Sequence, residues 1–167
     1  MDKGIAFLIV VVNYILQTTV FKELMIFGVS PNTALIIVVC FALIKDLKYT
    51  MGVAFFAGLL QDMFYSNVLG INIYTYILIG LLAHQLKHTL PFNKNVTAVI
   101  YVLLSTVAYH MIHYVILYFH GVMGVSLLRF IRETVVIEGM INVIFTYVMY
   151  NIIALLYKKA PLSFTSK

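Results

Sequence analysis

Charged side chains are scarce in this sequence: they make up 10% of its 167 residues, against 63% hydrophobic. Soluble domains carry roughly 25% charged and 45–50% apolar residues. So thin a polar coat excludes a water-soluble fold. Cysteine occurs once, so Cys40 forms no internal disulfide, and its place inside the run Leu35 to Ile44 makes it a small buried hydrophobe. The motifs H-E-x-x-H and G-x-S-x-G and a phosphate-cradling glycine loop are all missing. The two Asp residues of an intramembrane aspartic protease are missing too, because Asp62 is the only Asp inside an apolar run and Asp46 belongs to a turn between Lys45 and Lys48. No enzyme is expected. A formal net charge of +5 would point to nucleic acid in a soluble protein, but here Lys and Arg fall in the connections between apolar runs. They report membrane topology, and no nucleic-acid partner is expected.

What is present is a series of apolar runs. A spanning helix needs about 20 apolar residues, so the chain makes about six passes in one integral membrane domain, 1–167. The first run, Gly4 to Phe21, lacks a cleavage signal and carries Asn13 and Gln17, which marks a retained helix. The second lies between Pro31 and Lys45 and is short, so it must borrow Met25 to Ser30 or be sheltered by its neighbours. The third and fourth, Tyr49 to Tyr65 and Leu69 to Leu86, form a hairpin across the uncharged turn Ser66-Asn67. The fifth is Val96 to Phe119 and the sixth roughly Thr134 to Tyr157, ending at Lys158-Lys159. Between these two, His120 to Glu133 mixes apolar and cationic residues, as a short interfacial segment does.

Orientation follows from the positive-inside bias. One set of connections holds eight of the cations (Lys3, Lys45, Lys48, Lys87, Lys94, Lys158, Lys159, Lys167), while the other holds three (Lys22, Arg129, Arg132). Both termini are therefore expected in the cytoplasm. That topology gives each polar residue a depth. Asn13, Gln17, Thr18, Thr19, Asp62, Asn72, His110, His113, Glu133, Glu138 and Asn142 all fall toward the outer side, where lipid offers them no partners. The bundle interior is expected to be polar in its outer half and apolar in its inner half.

Several constellations stand out. Ala54, Gly58 and Asp62 recur every fourth residue, a small-residue face that lets a neighbouring backbone approach closely. Asn72, Tyr76, Gly80 and His84 form the facing stripe. Asp62 has two readings: an acceptor for the turn and the positive end of the fourth helix, or a charge for a partner or ligand. His110 and His113 share a helix face, as do His84 and His88, but neither pair has a Cys or carboxylate at ligand spacing, so hydrogen bonding is expected and metal is not. Glu138 and Asn142 share a face that can meet His110 or His113. Arg129 and Glu133 are one turn apart and can pair; alternatively Arg129 or Arg132 reaches Asp62, or stays free for a partner's carboxylate or an anionic lipid group. No cofactor is expected.

The stretches Ser30-Pro31-Asn32, Leu35-Ile36-Ile37-Val38-Val39, Gly52, Gly58-Leu59-Leu60-Gln61-Asp62 and Leu69-Gly70-Ile71-Asn72 resemble the core pattern of the MreD family. The matching core covers about a third of the chain, with Gly58 to Asp62 and Gly70 its most specific part; Asn32 stands where many members carry Asp. The resemblance implies an all-α, polytopic bundle of about six transmembrane helices in the bacterial cell membrane, similar to the substrate-binding subunits of energy-coupling-factor transporters. It also implies a non-enzymatic subunit of the cell-elongation machinery that inserts lateral-wall peptidoglycan. The partners it implies are MreC, and through the complex MreB, RodA and a class B penicillin-binding transpeptidase. The alternative is a vitamin-binding transporter subunit, for which an enclosed outer pocket would speak; an open groove would speak for a protein partner.

Overall fold

The computed structural model describes residues 2–23, 25, 27–65, 69–121 and 126–157, which form six helices. They are α1 (Asp2–Glu23), α2 (Thr33–Ile44), α3 (Leu47–Tyr65), α4 (Ile71–Leu86), α5 (Lys94–Phe119) and α6 (Leu127–Leu156). Three of them, α1, α5 and α6, are long and apolar enough to cross a membrane. The protein is an all-α membrane protein.

Its centre is α2. Every residue from Thr33 to Leu43 is buried, and the helix touches all five others. A helix apolar on every side has no solvent stripe to expose and belongs inside a bundle. Its 12 residues span roughly 18 Å, well short of a hydrocarbon core of about 30 Å. Residues 27–32 do not lengthen it: Phe27 and Gly28 take φ of +53° and +79°, and the Asn32 side chain caps the helix by accepting from Leu35 N at 3.1 Å. Shelter by its neighbours, not extra length, accommodates the short second run.

The α3 and α4 hairpin forms around glycine. A Cβ on Gly58 would stand 2.5 Å from Ile73 Cα and 2.7 Å from Ile73 N, so only glycine permits this backbone contact. About two turns further along α4, Gly80 faces Thr50 of α3 and Val38 of α2. The turn Ser66-Asn67 lies outside the described residues, as do Lys158 and Lys159. Gly70 follows with φ +93°, immediately before α4; that left-handed geometry suits glycine.

The segment expected at the interface differs. From Leu127 onward it is the first turns of α6, running through a π-helical stretch at Ile131–Val135. Bonding from i to i+5 puts residues five apart on one side. Phe130, 5.4 Å from the Tyr114 ring and 5.6 Å from the His110 ring, and buried Val135 thus both pack inward.

Candidate functional site

Six of the polar residues of the expected outer half, Asp62, Asn72, His110, His113, Glu138 and Asn142, converge in one connected region. Asp62, at the end of α3, is buried, and its carboxylate accepts three hydrogen bonds from the start of α4. Oδ1 takes Asn72 N at 3.0 Å and Asn72 Nδ2 at 2.9 Å, while Oδ2 takes Ile73 N at 3.0 Å. The two backbone donors are ones that a helix N-terminus leaves unpaired, and they sit at its positive end.

Asn72 carries the network onward. Its Oδ1 accepts from the Tyr109 hydroxyl at 2.8 Å and lies 3.2 Å from His113 Nε2. The Tyr109 ring stacks on His113 at 4.0 Å and on Tyr76 at 5.6 Å. The fully buried Tyr76 hydroxyl lies 3.0 Å from Asn32 Oδ1 and 2.7 Å from Gln61 Oε1.

A second branch starts at Asn32, whose backbone N donates to Asn142 Oδ1 at 2.9 Å. Asn142 Nδ2 in turn donates to Thr106 Oγ1 at 3.0 Å and Glu138 Oε1 at 3.3 Å. Glu138 Oε2 meets His110 Nε2 at 2.9 Å, and both side chains are buried. This second branch ties α2, α5 and α6 together, as the first ties α3, α4 and α5. Polar groups in an apolar medium are costly unless paired, and nearly all of these are. An exception is Asn13, whose buried Oδ1 has no hydrogen-bond partner among the described residues.

The arginines stay outside this network. Arg129 Nε reaches both carboxylate oxygens of Glu133, at 3.1 and 3.0 Å, on the exposed face of α6. Asp62 has no arginine partner among the described residues, because the first turn of α4 already occupies its carboxylate. Of the alternatives for the arginines, the internal pairing of Arg129 or Arg132 with Asp62 is therefore not formed, and Arg129 pairs with Glu133. Arg132 is exposed and makes no ion pair among the described residues. Pro31 is buried just before the cap at Asn32. His84, toward the other end, is 3.1 Å from Ala42 O through Nδ1. Among the described residues no group of three His, Cys, Asp or Glu is placed to hold a metal ion.

The sequence reading missed Tyr109 and Thr106, and it gave Asn32 no role. For Tyr109 a signal existed: it precedes His113 by four residues and so shares its helix face.

The residues that carry this packing, Gly58 to Asp62, Gly70 to Asn72 and Pro31-Asn32, are those of the MreD pattern, and residues 3–160 match the family described as rod shape-determining protein MreD. The chain belongs to the MreD family. MreD membership makes it a membrane component of bacterial rod-shape determination. No curated protein and no solved structure matches the chain. The likeness to energy-coupling-factor subunits therefore rests on the resemblance alone. Of the positions on which the resemblance to MreD rests, two serve the α3–α4 contact: Gly58 permits it, and Asp62 fastens it at the end.

Proposed function

We propose that this protein is a non-enzymatic, multi-pass subunit of the bacterial cell-elongation complex, one membrane domain with both termini in the cytoplasm. In this reading it binds MreC and thereby supports lateral peptidoglycan synthesis with MreB, RodA and a class B transpeptidase.

The observation that carries the reading is how the polar groups are used. In the expected outer half they are spent on one another, which supports a rigid scaffold; a vitamin would need such donors and acceptors free. For a partner, the outside of α5 and α6 offers an open apolar groove of about 520 Å³ that runs past Leu104, Val107, Ile131, Val136 and Met140. Arg132 and the Arg129–Glu133 pair lie on the first turns of α6, next in the chain to Ile131 of the groove, though they do not line it. A groove of this kind fits one face of a partner's membrane helix, with the exposed arginines of the same helix, α6, offered to a carboxylate.

Co-purification from detergent with tagged MreC tests the proposal. Wild type is expected to recover MreC, and the Arg129→Ala/Arg132→Ala double variant to recover much less at equal protein level. Unchanged recovery would remove the arginines from the interface, and failure of wild type to recover MreC would overturn the reading itself.

A further inference from the structure

We propose that a groove between α1 and α3 is a binding site for one anionic phospholipid, with an acyl chain along the groove and the headgroup phosphate at Lys48. The groove has a volume of about 270 Å³. Its floor is made of small or slender residues, Ala6, Val10, Gly52 and Val53, and the Phe7 and Phe56 rings, edge to face at 5.6 Å, wall it. Space at its centre is open: a Cβ on Gly52 would meet nothing within 4 Å.

Size selects the occupant. From Lys48 to Phe56 the groove follows about 12 Å of helix. Over that length α1 and α3 leave between them an apolar slot of about 270 Å³. A single acyl chain is slender enough to enter, and the lining offers it no polar group to desolvate until the mouth.

Charge selects the headgroup. Lys48 and Tyr49, in the first turn of α3, form the mouth. Lys48 is exposed and makes no ion pair among the described residues. The Lys45 ammonium lies 5.6 Å from the Tyr49 ring centroid, though closer to the Tyr157 ring at 4.1 Å, and adds positive potential at the same edge. Asp46 is exposed beside them but does not line the groove. A lysine on a flexible stem at the end of an apolar slot is the arrangement that meets a phosphate at the membrane surface.

The full chain in detergent, analysed by native mass spectrometry against phosphatidylglycerol and phosphatidylcholine of identical acyl chains, tests this. One phosphatidylglycerol is expected to be retained with about fivefold preference, the effect of one lysine at a charged surface. Lys48→Gln should abolish the preference and Lys48→Arg restore it, while Gly52→Leu should remove retention of both lipids with an unchanged melting temperature. Equal retention of the two lipids by wild type, or a preference untouched by Lys48→Gln, overturns the proposal. Lys48 is exposed, so its variants decide the matter even if Gly52→Leu fails to fold.

Discussion

The backbone N–H of Asn32 donates to the side-chain oxygen of Asn142 at 2.9 Å across 110 residues of chain, and it pins the start of the central helix to the middle of the last one. Asn142 is fully buried and uses its amide nitrogen for Thr106 and Glu138 as well. Asn142→Leu would strand the Asn32 N–H and leave Glu138 with His110 alone. A buried donor left unmade costs about 1–3 kcal/mol. The variant is expected to melt several degrees lower in detergent, and Asn142→Ala to behave alike.

Asp62 separates charge from shape. Asp62→Asn keeps one acceptor oxygen for α4 and loses the charge-assisted part, a cost of about 1–2 kcal/mol. Asp62→Leu removes all three bonds and strands Asn72 N and Ile73 N. Thermal melts should therefore rank wild type above Asn and Asn above Leu. An equal loss of shape function in both variants at normal protein level would instead mark the charge itself as functional.

Two glycines of α3 make a matched pair. Gly58→Ala places a Cβ against the backbone of α4 and must push the helices apart, whereas Gly52→Ala enters open space. Overpacking against backbone costs about 1–3 kcal/mol. Gly58→Ala should lower yield and melting temperature, and Gly52→Ala should leave both near wild type.

Topology is open to labelling without a cysteine-free background, because Cys40 is fully buried. Exposed Leu69 and His120 sit at the expected outer end, and exposed Phe92 at the inner end. Leu69→Cys and His120→Cys are expected to react with a membrane-impermeant maleimide in intact cells. Phe92→Cys is expected to react only after lysis. The reverse pattern would invert the assigned orientation.

Much of this protein was legible in its sequence because hydrophobicity and charge act locally. The length of each apolar run, the scarcity of charge and the lysine bias define the membrane class and the expected topology without knowledge of packing. Gly58, Asp62 and Gly70 were legible for a related reason: both sides of their contact lie within one hairpin, so spacing alone brings them together. The short second run announced a problem but left two solutions, and only the bundle shows that shelter by five helices is the one used.

Tertiary structure alone decided which polar groups meet. Asn32 with Asn142, Asn72 with Tyr109 and His110 with Glu138 are separated by 110, 37 and 28 residues, and their pairing depends on how helices turn about their axes. Each helix offers several polar residues at similar depth, so depth cannot choose among them. Rotation did: it turned Asn142 of α6 toward Asn32 and Thr106, set Glu138 against His110, and left Arg129 and Arg132 on the exposed face.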